Sequence, residues 1–112
     1  MKIHTMKRLI RIIDFNLKNK KLELKTQEEI LDNLQEELQN NILNAAKEKY
    51  FLERHPNPSF DYSSFFNHNQ NKIAELNKRI ANCKSSIDSI IEALKNSMIK
   101  KKQYEHIIAK AL

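Results

Sequence analysis

Residues 31–58, LDNLQEELQNNILNAAKEKYFLERHPNP, decide the fold. Leu31, Leu38, Ala45 and Leu52 recur every seven residues, and the run then stops at His55-Pro56-Asn57-Pro58. A residue ahead of proline is pushed out of the helical region, so a helix carrying this heptad must stop by His55. Toward the N-terminus the same spacing takes in Leu24, Leu17, Ile10 and Ile3 without one polar interruption. Beyond the break a second frame runs through Ile73, Ile80, Ile87 and Leu94 and resumes at Ile108 after Lys101. Two heptad runs around one breaker predict an all-α fold, a long two-helix antiparallel coiled-coil hairpin that forms a single domain over residues 1–112. Helix one is expected over about 3–54, the turn over about 55–66 and helix two over about 67–111.

The seam of helix one has one strong stripe and one mixed one. Met6, Ile13 and Leu34 are apolar at the d positions, whereas Lys20, Gln27, Asn41 and Glu48 are polar. Polar seam residues reduce stability and can fix register; alternatively, these groups meet another protein. In helix two Leu76, Cys83 and Ile90 complete the seam, and Ile91, Met98 and Ile107 are expected to widen it. Asn67 followed by Gln70 resembles a capping box just before the apolar run, although Asp61 or Ser63 offers an earlier start. Thr26-Gln27-Glu28-Glu29 matches the same pattern, but the heptad passes straight through it. A register that sets Leu52 against Leu76 also sets Leu38 against Ile90, Leu34 against Leu94, Leu24 against Tyr104 and Gln27 against Lys101. It leaves roughly ten N-terminal residues projecting past the C-terminus.

Composition narrows the class further. Among 112 residues there are no glycines and two prolines, and 30% are charged, so few turns are available to fold the chain into a globule. Cys83 is the single cysteine, which rules out an intramolecular disulfide and suits a small core residue in a reducing compartment. The opening is basic like a signal peptide, but Arg11 and Asp14 interrupt any apolar run long enough to act as one; neither a secretory signal nor a membrane span is expected. Charge is uneven. Residues 1–25 hold eight Lys and Arg against Asp14 and Glu23, and residues 95–112 hold five Lys against Glu105, for a net +10 at the expected open end. The remainder of the chain sums to −4. A solvated face accounts for scattered lysines; concentration at one end favours an acidic partner surface.

The residue types needed for catalysis are not arranged for it. Without glycine there is no Walker loop, dinucleotide fingerprint or glycine-built oxyanion turn. His4, His55, His68 and His106 are widely spaced, and no cysteine or paired carboxylate completes a metal site near the turn. No enzyme activity, cofactor or metal is therefore expected. Six of the eight aromatics, Tyr50, Phe51, Phe60, Tyr62, Phe65 and Phe66, gather around the break. They can plug the hairpin tip against fraying, or supply a docking surface, since aromatic anchors dominate binding hot spots. Basic and aromatic residues lie at opposite ends of the expected hairpin and Arg is scarce, which argues against nucleic acid. An amphipathic face of Ile3, Met6, Ile10 and Ile13 could sit on an anionic membrane, but the coiled coil claims it.

A short, basic, glycine-free chain with two long helices, basic chain ends and an aromatic turn resembles the central stalk proteins of type III secretion systems, the FliJ/YscO/SctO family. The small size and the opening Met1-Lys2-Ile3-His4-Thr5-Met6-Lys7-Arg8-Leu9 are similar to its compact Inv/Spa-type members. The resemblance covers the whole chain and lies in architecture and general character. It implies a hairpin like that of a rotary ATPase gamma subunit, lying in the cytoplasm and peripheral to the secretion apparatus at the inner membrane. The open end would enter the hexameric type III secretion ATPase, with Lys7, Arg8, Arg11, Lys100, Lys101 and Lys102 facing the ring. The tip would approach the export gate protein, with Tyr50, Phe60, Phe65 and Phe66 facing it, and exposed helix faces would take secretion chaperones. Shorter helices and a proline-containing tip set this chain apart from the longer flagellar members. A small secretion chaperone or assembly adaptor, and a basic coiled coil that binds nucleic acid or a membrane surface, are the other readings of the same features.

Overall fold

A computed structural model describes residues 2–112. The chain forms two helices, α1 (Ile3–Arg54) and α2 (Tyr62–Ala111), folded as an antiparallel hairpin, with no strand among the described residues. Every a position of α1 from Ile3 to Leu52 is buried or half-buried. So are the α2 frame residues Ile73, Leu76, Ile80, Cys83, Ile87, Ile90 and Leu94. Helix formation thus follows the heptad, because each turn's apolar stripe has a facing stripe against which to leave water.

The hairpin divides into two compact units. One combines residues 1–28 with 85–112 and holds both chain ends; the other spans residues 29–84 and holds the loop. In the terminal unit the core cluster is Leu17, Ile90 and Leu94, with Ile13 and Leu24 packed against it. Met6 is also buried there, at 3% exposure. Leu34, Leu76, Ile80 and Cys83 are the buried apolar residues of the loop unit. The Leu, Ile and Met side chains among them each contribute roughly 1.5–3 kcal/mol on burial.

Two of the four polar d positions, Lys20 and Asn41, find partners within their own helix. Lys20 Nζ donates to Glu23 Oε2 at 3.1 Å, and Asn41 Nδ2 donates to the Glu37 carbonyl at 2.8 Å. Both residues are half-buried at the seam, while Glu48 is exposed. No buried side-chain nitrogen or oxygen among the described residues lacks a hydrogen-bond partner.

Four expectations change. First, α2 begins at Tyr62, five residues before Asn67, so Phe65 and Phe66 belong to the helix rather than the turn. Asp61 is the cap: its Oδ1 accepts from the Ser64 amide at 3.0 Å, its Oδ2 from the Ser64 hydroxyl at 2.7 Å, and its carbonyl from the Phe65 amide at 3.2 Å. Second, the register differs. Lys101, expected against Gln27, instead donates to Asp14, the residue after Ile13, at 2.7 Å. Ile13 lies two heptads before Gln27, and Ile90 and Leu94 pack with Leu17, Ile13 and Leu24 rather than with Leu38 and Leu34. The earlier start of α2 shortens the loop and turns the chain back sooner. Third, buried Met6 overturns the expected N-terminal overhang. Fourth, Met98 and Ile107 are exposed and leave only Ile91 to widen the α2 stripe.

Candidate functional site

The loop, residues 55–61, is built by side chains that replace the missing helical partners. Asn57 Oδ1 accepts from both the amide (3.0 Å) and hydroxyl (2.7 Å) of Ser59, closing a turn through the second proline. The Phe60 amide donates to the Asn57 carbonyl at 3.1 Å, and the Asn57 amide donates to the Tyr62 hydroxyl at 3.0 Å. Asp61 holds its carboxyl below the ordinary aspartate range, chiefly because the Ser64 amide, and then the Ser64 hydroxyl, donate to the ionised form.

The aromatics around this loop have two separate jobs. Phe60 and Phe65 are half-buried and meet edge to face at 5.6 Å, and Phe60 meets Tyr62 at 5.0 Å. They form the plug. Tyr50, Phe51 and Phe66 stay exposed; Arg54 lies 4.5 Å over the Tyr50 ring, and His55 lies 4.6 Å from Phe51. Of the four residues expected to face a gate protein, Phe60 and Phe65 are largely committed to packing, whereas Tyr50 and Phe66 point outward.

Phe66 is the informative one. It sits seven residues before Ile73, in seam register, and is nonetheless 56% exposed. Across from it α1 offers the small side chains Ala45 and Ala46, and the two helices enclose an open groove of about 920 Å³. Ile42, Ala45, Leu52, Phe65, Phe66 and Ile73 supply its apolar lining, with Lys49 and Glu53 among its charged residues. A smaller recess of about 350 Å³, involving Phe51, Leu52, Phe60 and Phe65, adjoins the plug.

The terminal unit carries the charge. It holds 13 Lys and Arg against six Asp and Glu, a net +7, while the loop unit holds seven against eight, a net −1. Lys7, Arg8 and Arg11 are brought together with His4 around one recess of about 430 Å³. Lys100 and Lys102 are exposed on α2. Lys101 differs from the other expected ring-facing residues: it is half-buried, 2.7 Å from Asp14 and 3.7 Å from Glu105. The Asp14 hydrogen bond, followed by the charges of Asp14 and Glu105, raises its pKa above the ordinary lysine value.

Sequence reasoning missed an outward stripe. Ile12, Phe15 and Leu22 lie off the seam and are exposed, at 51%, 65% and 59%. Their c and f heptad spacing is the signal that could have found them. Among the described residues no group of three His, Cys, Asp or Glu could hold a metal ion, and no helix is long and apolar enough to cross a membrane.

No family model, curated protein or solved structure matches this chain.

Proposed function

We propose that the protein is a non-enzymatic stalk of a type III protein secretion apparatus, linking the hexameric export ATPase to the export gate and promoting delivery of substrates or chaperones. The observation that carries this reading is the division of chemistry between the units: net +7 with both termini in one, exposed aromatics beside an apolar groove in the other. A hairpin that engages two different partners needs two chemically distinct surfaces. Lys7, Arg8 and Arg11 around their shared recess, with Lys100 and Lys102, would meet an acidic ring lumen by charge complementarity. Lys101 would hold the two helices together at that surface through Asp14. Tyr50 and Phe66 would anchor the gate contact, with Phe60 and Phe65 keeping the tip rigid behind them. The setting would be cytoplasmic, at the inner membrane.

The test is turnover by the cognate export ATPase with the purified chain at less than one per ATPase subunit. The expected result is a rise in turnover that charge reversal at Lys7, Arg8 and Arg11 abolishes. No change in turnover together with no co-purification contradicts it.

The groove of the loop unit supports a second reading, a small secretion chaperone or adaptor whose client lays an apolar helix against Ile42, Ala45 and Phe66. That reading expects a stoichiometric complex with a secreted protein and no effect on the ATPase.

A further inference from the structure

The apolar seam of α1 is covered by α2, yet the opposite face of its first half is apolar as well. At about 100° per residue Phe15 points directly away from the seam, and Leu22 and Ile12 fall within about 60° of it. All three are more than half exposed. From Ile12 to Leu22 they cover roughly 15 Å of helix. Three large apolar side chains aligned on one exposed face form a surface on which a partner can dock.

Charge identifies the occupant. Arg8, Arg11 and Lys18 fall within the same arc, and Lys7 and Lys25 flank it. The only acids between residues 2 and 25 are Asp14 and Glu23, and both are occupied: Asp14 with Lys101 at 2.7 Å and Glu23 with Lys20 at 3.1 Å. Neither lies inside the arc. The face is therefore cationic as well as apolar, and the recess formed by His4, Lys7, Arg8 and Arg11 lies at its N-terminal end. The first turn of α1 has no acidic residue, so the positive end of the helix dipole adds to the same field.

We infer that this face of α1 lies on the surface of an anionic lipid bilayer. Ile12, Phe15 and Leu22 would enter the boundary between headgroups and acyl chains. The Arg and Lys side chains would lay their stems along that boundary and reach lipid phosphates, one of them seated in the His4–Arg11 recess. The apolar residues project from the convex outer face of a helix, which suits a fluid surface that moulds itself to the protein. A second copy of this chain is a poor occupant, because two such faces would bring like charges together. The contact is superficial, since no helix among the described residues can cross a membrane. This inference gives Lys7, Arg8 and Arg11 a different contact from the stalk reading, so the two describe alternative engagements of one surface, and it alone gives Ile12, Phe15 and Leu22 a role.

The experiment is flotation of the full chain with phosphatidylcholine vesicles, with and without about one-third phosphatidylglycerol. Binding is expected only to the anionic vesicles, fading with added salt and falling by roughly tenfold or more in Phe15→Ser/Leu22→Ser. Circular dichroism should show that this doubly substituted chain remains helical, because both positions face water. The chain contains no tryptophan, so Phe15→Trp gives a local reporter, with Leu43→Trp as a control that is also more than half exposed, in the loop unit. Its emission should shift to the blue on anionic vesicles, and that of Leu43→Trp should not. Absence of binding to anionic vesicles, equal binding by Phe15→Ser/Leu22→Ser, or a shift at Leu43→Trp alone would overturn the inference. Retention on polyglutamate without retention on vesicles would assign the face to an acidic protein, and a dimer lost on Phe15→Ser/Leu22→Ser would assign it to self-association; either overturns it.

Discussion

Lys101 reaches across the hairpin and places its ammonium 2.7 Å from the Asp14 carboxylate, joining residues near the start and the end of the chain. This contact marks the register of the terminal unit, and Glu105 at 3.7 Å supports it from one turn away. The pair is partly exposed, so its effect on stability is modest and its effect on alignment is the larger one.

Reversing the pair tests this directly. Asp14→Lys should lower the melting temperature, and Asp14→Lys combined with Lys101→Asp should recover most of the loss, as a thermal melt of the four chains of a double-mutant cycle would measure. Recovery absent from the double substitution would mean that the two residues do not face each other.

The sign of the pH dependence follows from the raised pKa of Lys101. Stability from this contact is fully present below the ordinary lysine value of 10.5 and is lost as pH rises through the higher folded value. The difference in melting temperature between the native chain and Asp14→Asn should therefore be constant through neutral pH and shrink in strong alkali.

At the loop the sign is opposite. Asp61 is held below the ordinary aspartate value of 3.8, so its contribution is present above that value and is lost as pH falls through the lower folded one. Asp61→Ala should fray the start of α2, seen as faster amide exchange at Phe65 and its neighbours, and should remove part of the acid sensitivity of the native melt.

Core and surface positions should separate cleanly. Leu17→Ala empties part of the Leu17, Ile90 and Leu94 cluster and should cost about 2–4 kcal/mol in denaturant unfolding. Met98→Ala, at an exposed position, should stay within about 0.5 kcal/mol. In the loop unit, Phe60→Ala should lower stability by loosening the plug, whereas Phe66→Ala should leave the melt nearly unchanged and weaken partner binding.

The seam was legible because a heptad is a statement about which residues face a partner helix, and Leu17, Leu34, Leu76 and Ile90 all obey it. Register was not legible for the same reason: sliding one helix by two heptads returns every a and d residue to the seam, so Ile13 and Gln27 are equivalent to the pattern. Only the loop breaks the degeneracy. There the Asn67 and Gln70 pair imitates a capping box, while the actual cap, Asp61 with Ser64, lacks the Glu or Gln that completes that motif. The charged end was legible from composition, but the pairing of Lys101 depends on register and could not be read. Ile12, Phe15 and Leu22 escaped because attention to the seam treats every other face as solvent.

If the cationic terminal unit engages a hexameric export ATPase, that enzyme should accompany the chain out of the cell extract. The measurement is affinity capture with the full chain from the native cytosol, with the associated proteins identified by mass spectrometry and the capture repeated for Lys7→Glu/Arg8→Glu/Arg11→Glu. A hexameric export ATPase is expected on the native chain and not on the charge-reversed one. Capture that returns no such ATPase, or returns it equally with the charge-reversed chain, contradicts it.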